Sequence, residues 1–256
     1  MKALLFAMAV AAFPATAAPV QVDLELVLAV DTSRSMDWDE LEIQREGYVK
    51  ALQHPAVTSA FEMGPLGRVA VTFMEWGGPF RTKVLVDWTL IEGREDALAF
   101  AATLQEAKIG NLRGTSISHA MLRAKELIET NAFEGTRKVI DISGDGPNNR
   151  GRPVLEARAE VAAAGIEING LPFMVKEARG LYSIPDLDIY YEECVITGES
   201  AFVIPIFRMD KLVASIRQKL VLEISGLQPE RPVRLRKASR MDCMIGEKLR
   251  ERQWQQ

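Results

Sequence analysis

The chain has 256 residues, of which 48% are hydrophobic and 26% are charged, and its formal net charge is −4 at pH 7. This composition is that of a folded globular protein, and the length suits one large α/β domain with an appendage better than two small domains. The chain contains no basic domain, so we do not expect nucleic acid as a partner.

Residues 1–17 have the layout of a secretory signal peptide. Lys2 precedes an apolar run, and the small residues Ala15, Thr16 and Ala17 offer a cleavage site. The alternative, an uncleaved membrane anchor, is disfavoured because the apolar run is shorter than the roughly 20 residues that span a bilayer. We therefore expect a periplasmic or secreted protein with no transmembrane segment in its mature chain.

The stretch 22–36 begins as a buried strand and ends in a polar loop. Its first part is dominated by valine and leucine, as is typical of a strand in a parallel sheet. Asp31, Ser33 and Ser35 then place oxygens at alternate positions beyond the carboxyl end of the strand, where open α/β sheets bind ligands. Taken alone, the serines are also explained as a turn residue and a helix N-cap, with Ser35 near the start of a helix predicted over 36–53.

The rest of the chain alternates between strand and helix patterns. Strand patterns lie at residues 67–76, 82–88, 136–142, 166–173 and 201–207. Helix patterns lie at residues 94–106, 117–130, 152–164 and 209–224. Residues 175–200 show no clear periodicity. The alternation predicts an α/β fold with a doubly wound, mostly parallel sheet flanked by helices, in which the strand at 82–88 is an antiparallel edge strand.

Two later loops carry further oxygen-bearing side chains. Thr115 lies in the stretch R-G-T-S just before a predicted helix, and Asp145 lies in S-G-D-G just after a predicted strand. In a doubly wound sheet, such loops can meet the loop of Asp31 at the topological switch point. The alternative for Asp145 is an Asx turn, and Asn148 and Asn149 are interpreted as turn formers rather than ligands.

Taken in order, D-T-S-R-S, R-G-T-S and I-S-G-D-G resemble the metal-ion-dependent adhesion site of von Willebrand factor type A domains. The resemblance covers about residues 22–222, and I-D-I-S-G-D-G-P-N-N with a late C-V-I-T-G is similar to a bacterial exported subgroup catalogued as a domain of unknown function. It implies one Mg²⁺, with Mn²⁺ or Ca²⁺ as alternatives, that takes a carboxylate from another protein. The ligands it implies are oxygens, as hard cations prefer: Asp31, Ser33, Ser35, Thr115 and Asp145.

Two positions depart from the usual pattern of that family. Arg113 stands where glycine is common, and Gly144 precedes Asp145 where threonine is frequent, but neither change removes an oxygen ligand. Arg34, Arg113 and Arg150 lie in or beside the loops. We expect them to add charge-assisted contacts to an acidic partner surface, with simple solvation as the alternative.

The main alternative to a binding protein is a metal-dependent hydrolase that uses the same carboxylates. The chain lacks the nucleophile-elbow, dinucleotide-binding and P-loop motifs. Its only histidines, His54 and His119, are too few for a His-rich zinc site and are interpreted as structural or surface residues. Because the loops offer no evident general base beside the ion, we expect a protein that is not an enzyme.

The only two cysteines are Cys194 and Cys243. An oxidising compartment favours a disulfide between them, which closes a long loop and contributes roughly 4 kcal/mol in the chain-entropy model. The predicted organisation is a signal peptide over 1–17, a von Willebrand factor A-like domain over 18–225 and a C-terminal basic tail over 226–256, which this bridge would tether. We interpret the basic cluster within the tail as solvated, with an anionic surface as the alternative partner.

Overall fold

The computed structural model describes residues 18–175, 183–229 and 241–255. Its strands are β1 (Val20–Asp31), β2 (Val69–Trp76), β3 (Thr82–Ile91), β4 (Phe133–Gly144) and β5 (Glu167–Pro172). They form one five-stranded sheet in the order β3-β2-β1-β4-β5. All neighbouring strands are parallel except β2 and β3, which are antiparallel. The predicted mostly parallel sheet with an antiparallel edge strand is therefore confirmed.

Helices cover both faces of this sheet. They are α1 (Trp38–Leu52), α2 (Pro55–Ala60), α3 (Arg94–Glu106), α4 (Ile117–Glu129), α5 (Val154–Ala163), α6 (Leu187–Tyr190), α7 (Leu212–Ser225) and α8 (Ile245–Trp254). A π-helical turn, Tyr191–Val195, continues α6, and a 3₁₀ turn, Met209–Lys211, precedes α7. The sequence patterns do not predict α2, α6 or α8, of which α2 and α6 have only six and four residues.

The central strand β1 shows why both faces of the sheet must be covered. Leu26 and Leu28 belong to the apolar core shared with α1, α2, α3 and α7, whereas Val27 and Ala29 belong to the core shared with α4 and α5. All four side chains are fully buried. Because successive side chains of a strand point to opposite faces, an apolar strand of this kind is stable only between two layers of helices.

The start of α1 differs from the sequence prediction. Its N-cap is Asp37 rather than Ser35, because the Asp37 side chain accepts a hydrogen bond from the backbone N–H of Glu40 while the Glu40 side chain accepts one from the backbone N–H of Asp37. This reciprocal capping box satisfies two backbone donors of the first turn. Ser35 consequently stays in the loop that follows β1.

The predicted strand at 201–207 is not a regular strand. Only two isolated parallel bridges, Gly170 with Val203 and Phe173 with Ile206, join this segment to the edge of β5 and the residue after it. Between the two bridges, the backbone N–H groups of Ile204 and Ile206 donate to the carbonyls of Gly170 and Pro172. The return hydrogen bond to Ile204 would have to come from Pro172, which has no N–H, and this explains why the pairing is interrupted. The segment still lies where the prediction placed it, beside the last strand of the sheet.

The two ends of the chain are described only in part. The predicted signal peptide, 1–17, and the basic cluster at 231–240 lie outside the described residues. None of the helices within the described ranges is long and apolar enough to cross a membrane. The described end of the tail, residues 241–255, packs on the domain, and a disulfide joins Cys243 to Cys194 with an S–S distance of 2.00 Å.

Candidate metal-binding site

Three loops meet beyond the carboxyl end of β1. Strands β1 and β4 are parallel neighbours in which Val30 pairs with Ser143, so the loops that follow these strands leave the sheet side by side. The third loop joins them through Leu112, whose backbone N–H donates to the carbonyl of Thr32 at 2.8 Å. The sheet thereby brings together stretches of the chain that are far apart in sequence, at the edge where such folds bind ligands.

A continuous chain of hydrogen bonds links two carboxylates at this edge. The backbone N–H of Ser33 donates to Asp31 Oδ1 at 2.7 Å, and the hydroxyl oxygens of Ser33 and Ser35 lie 2.9 Å apart. The Ser35 hydroxyl in turn donates to Asp145 Oδ1 at 2.7 Å. Four of the five ligands expected from the sequence therefore lie in one hydrogen-bonded group.

Thr115, the fifth expected ligand, is buried in the third loop. Its backbone N–H donates to Asn149 Oδ1 at 3.4 Å, and its carbonyl accepts from the backbone N–H of Asn149 at 3.1 Å. Within the described ranges, the Thr115 hydroxyl does not join the hydrogen-bond chain between the two carboxylates. Asn149 is thus not a mere turn former, because it ties the loop of Thr115 to the loop of Asp145.

The charge on Asp31 is incompletely compensated. Its side chain is fully buried, and Oδ2 has no hydrogen-bond partner among the described residues. Burial raises the pKa of Asp31 well above its usual range, the nearby Asp145 carboxylate raises it further, and the hydrogen bonds from Ser33 oppose both effects. A cation beside Asp31 would lower this cost, because an opposite charge favours the ionised form of a carboxyl group.

Gly144 explains one departure from the family pattern. A Cβ atom at this position would lie 3.0 Å from Asp31 Oδ2, 3.0 Å from the Tyr191 hydroxyl and 3.2 Å from the ring of Trp76. Tyr191 and Trp76 therefore fill the space that a threonine side chain would need. Tyr191 lies in the π-helical turn, and turns of this kind are frequent at functional sites.

Sequence reasoning missed Tyr191 as a neighbour of Asp31. Its segment shows no helical or strand periodicity, and the π-helical turn that positions it has no sequence signature of its own. The buried Tyr191 hydroxyl has no hydrogen-bond partner in the part of the chain that the structure describes. Its position beside Gly144 makes it a second polar group that lines the buried side of the site.

The donor set fits a hard divalent cation. Across 18–175, 183–229 and 241–255, no three His, Cys, Asp or Glu side chains form a group that could hold a metal ion. A cation at this edge would therefore depend on two carboxylates together with hydroxyl oxygens, which are ligands that Mg²⁺ and Mn²⁺ accept. The buried, unpartnered Oδ2 of Asp31 is the feature that such an ion would compensate.

Three exposed arginines and an exposed aromatic ring lie in or beside the loops of the site. Arg34, Arg113 and Arg150 are all exposed. In the turn between β2 and β3, Phe80 is 88% exposed and has a φ of 59°, a backbone conformation that is uncommon for a bulky residue. The backbone N–H of Gly78, in the same turn, donates to the Arg113 carbonyl at 2.9 Å, which holds this turn against the third loop.

The family described as "Protein of unknown function (DUF1194)" matches residues 21–228 of the chain. No curated protein sequence matches this chain.

Solved structures share its fold at low sequence identity. The pilus adhesin SpaC from Lactobacillus rhamnosus GG is 13% identical, with a TM-score of 0.58 over 82% of this chain and 30% of SpaC. Proximal thread matrix protein 1 from the mussel byssus, solved with a zinc-occupied MIDAS motif, is 13% identical, with a TM-score of 0.55 over 79% of this chain and 46% of that protein. The vWF domain of the type V pili tip protein Mfa5 from Porphyromonas gingivalis is 11% identical, with a TM-score of 0.53 over 84% of this chain and 99% of that domain. The chain thus spans less than half of the first two proteins.

Proposed function

The chain belongs to the DUF1194 family and has a von Willebrand factor A-like fold, and from this premise we propose that it binds a divalent cation and, through it, an acidic group of another protein. One observation carries the proposal. The buried carboxylate of Asp31, whose Oδ2 has no partner in the described residues, is joined through Ser33 and Ser35 to Asp145 at the carboxyl edge of the sheet.

The proposed ligands are Asp31, Ser33, Ser35, Thr115 and Asp145, held by three loops on a rigid sheet. Mg²⁺ is the preferred ion, with Mn²⁺ and Ca²⁺ as alternatives, because all three take oxygen ligands. The zinc-occupied MIDAS motif of the mussel byssus protein supports divalent binding on this fold. The five side chains leave at least one of the six coordination positions of Mg²⁺ open, so the ion can accept a carboxylate oxygen from a partner.

The surface chemistry supports an acidic protein as that partner. Arg34, Arg113 and Arg150 offer charge-assisted hydrogen bonds around the ion, and Arg side chains pair well with carboxylates. Phe80 adds an exposed apolar ring on the same rim. The pilus adhesin SpaC and the pili tip protein Mfa5, which share this fold, support a binding role rather than catalysis and a periplasmic or secreted location, in keeping with the predicted signal peptide.

Calorimetric titration of the mature chain with Mn²⁺ tests the cation. We expect one binding event, and we expect Asp145→Ala and Thr115→Ala each to lower the affinity by at least about tenfold, or roughly 1.4 kcal/mol. The matched control is Asp87→Ala, which removes an exposed carboxylate from β3 and should leave the affinity unchanged. Equal affinities in all four proteins would refute the site assignment.

Capture of partners from a periplasmic extract, with and without EDTA, tests the second half of the proposal. Bound protein should be lost in EDTA and return when Mg²⁺ is added in excess. Retention of the same protein in EDTA would show that it docks elsewhere. Turnover of phosphoester or peptide substrates that depends on both Mn²⁺ and Asp145 would instead favour the hydrolase alternative.

A further inference from the structure

The C-terminal arm, defined as residues 241–255, packs against the loop that carries Asp145. It contains α8 and lies beyond the residues that the family matches, 21–228. A disulfide from Cys243 to Cys194 attaches the arm to the π-helical turn. The same turn provides the Glu193 carboxylate, which accepts a hydrogen bond from the backbone N–H of Met241 at 2.7 Å. The beginning of the arm is therefore held by one covalent and one polar contact.

Asn148 is the residue at which the arm meets the Asp145 loop. Its side chain is fully buried, and its amide nitrogen donates to Glu247 Oε1 at 2.6 Å and to the Arg152 carbonyl at 3.1 Å. Its Oδ1 accepts from the backbone N–H of Ser118 at 3.0 Å, and its own backbone N–H donates to the Tyr190 hydroxyl at 3.2 Å. Both hydrogens of the amide group are engaged, so the orientation of this side chain is fixed.

Glu247 is the acidic group of the arm that enters the domain. It is only 9% exposed, and its Oε2 has no hydrogen-bond partner among the residues that the structure describes. Burying a carboxylate that has one unpartnered oxygen costs free energy. Packing alone therefore does not explain why Glu247 is buried against Asn148. The preceding residue, Gly246, allows the close approach, because a Cβ atom there would lie 2.1 Å from the carbonyl oxygen of Asn148.

We propose that the Cys194–Cys243 disulfide and Glu247 form a clasp that holds the Asp145 loop in its cation-binding conformation. This inference rests on the proposed function, since it concerns the same site. Glu247 is a positioning residue that acts through Asn148, in the loop that also reaches Thr115 through Asn149. Groups hydrogen-bonded directly to metal ligands are worth about 10- to 100-fold in metal affinity, and Glu247, which acts one residue further from the ion, should have an effect at the lower end of this range. Opening the clasp should therefore weaken cation binding without removing any ligand.

A dithiol reductant can open this clasp. Cys194 is fully buried whereas Cys243 is half-buried, so the thiolate of the reductant attacks the Sγ of Cys243. A mixed disulfide forms on Cys243, and Cys194 leaves as a thiolate that takes a proton from water. The second thiol of the reductant then displaces Cys243, which leaves two cysteine thiols and the reductant as its own disulfide.

Two measurements on the mature chain test the clasp. The first is Mn²⁺ affinity by calorimetry, and the second is hydrogen exchange at the backbone amides of Asn148 and Asn149 in the metal-free protein. We expect Glu247→Ala, and separately protein reduced with dithiothreitol, alkylated and freed of reagent, to bind Mn²⁺ about tenfold more weakly. Both should also exchange these two amides faster, while amides of β1 stay protected and exclude global unfolding.

Two variants separate positioning from packing. Glu247→Gln keeps an oxygen that accepts from Asn148, so its Mn²⁺ affinity should stay within about twofold of the wild-type value. Glu251→Ala removes an exposed carboxylate from the same helix and should change nothing. Unchanged exchange at Asn148 and Asn149 in Glu247→Ala and in the reduced protein would overturn the clasp. If the wild-type chain binds no Mn²⁺, the proposed function fails, and amide exchange alone decides for or against the clasp.

Discussion

Asp141 lies within β4 and Asp145 lies just after it, but the two carboxylates have different electrostatic environments. Asp141 belongs to an interior charge cluster, defined as Asp141, Lys219 and Glu223, in which the Lys219 ammonium lies 2.7 Å from Asp141 Oδ1 and also pairs with Glu223. At the candidate site, Asp145 faces Asp31, and no Lys or Arg among the described residues forms an ion pair with Asp31. The interior cluster contains its own cation, whereas Asp31 has none among the described residues.

The interior charge cluster is further closed by neutral partners. Asn169 donates to Glu223 Oε1 at 3.0 Å and accepts from the backbone N–H of Phe202 at 3.0 Å. The Lys219 ammonium also lies 5.4 Å from the centre of the Phe202 ring. A buried set of charges is tolerated when it is paired and hydrogen-bonded in this way. Asp31 Oδ2 lacks such a partner among the described residues, which agrees with the proposal that an ion from solution completes the site.

The largest effect should come from removing the interior cation. Lys219→Met leaves Asp141 and Glu223 buried beside each other without a positive charge, which should lower the free energy of unfolding by about 3–5 kcal/mol. Urea denaturation measures this change. The matched control is Lys50→Met, which breaks an exposed ion pair with Glu46 and should cost about 0.5 kcal/mol or less. A similar small effect in both variants would contradict the view that the interior cluster is a balanced unit.

A smaller effect should appear as a pH dependence of stability. Burial and the Asp141 carboxylate raise the pKa of Glu223 to about 7, although Lys219 and Asn169 oppose the shift. The folded chain then binds more protons than the unfolded chain between about pH 4.3 and pH 7. The free energy of unfolding should therefore fall as the pH rises through this window, with a contribution of about 3–4 kcal/mol from Glu223.

Urea denaturation of the wild-type chain and of Glu223→Gln, from pH 4 to pH 8, isolates this contribution. The difference in the free energy of unfolding between the two proteins should decrease as the pH rises from about 4.3 to 7 and stay constant above that. A difference that does not vary with pH would show that Glu223 keeps its ordinary pKa in the folded protein.

The smallest expected effect is a change in the free energy of unfolding that has opposite signs for Asp31→Asn and Asp141→Asn. In EDTA, Asp31→Asn should raise the free energy of unfolding by about 1–2 kcal/mol, because it removes a buried charge that has no cationic partner among the described residues. Asp141→Asn should lower it, because it unbalances the pair with Lys219. In excess Mn²⁺ the wild-type chain should gain stability by binding, and Asp31→Asn should gain less. Destabilisation by Asp31→Asn in EDTA would contradict the contrast.

Local sequence patterns predicted the sheet because burial on both faces leaves a readable apolar run. The start of α1 could also have been read, since Asp37 and Glu40 have the spacing of a capping box. Pro172, which cannot donate to the segment 201–207, likewise explains the interrupted pairing there. In contrast, no local pattern joins Asp141 to Lys219 or Asn148 to Glu247, because each pair is distant in sequence and meets only through the fold.

The sequence by itself determined the five strands of the sheet, five of the helices (α1, α3, α4, α5 and α7) and the identity of the oxygen-bearing loops, because these depend on residue types at short spacings. Only the tertiary structure decided how those loops are supported. The Asp31 carboxylate is buried beside Tyr191, a residue in a segment without periodicity, and the loop of Asp145 is held by Glu247 from the far end of the chain. These contacts form because the sheet and the disulfide bring distant parts of the chain together. Local sequence patterns do not indicate which parts will be close in the fold.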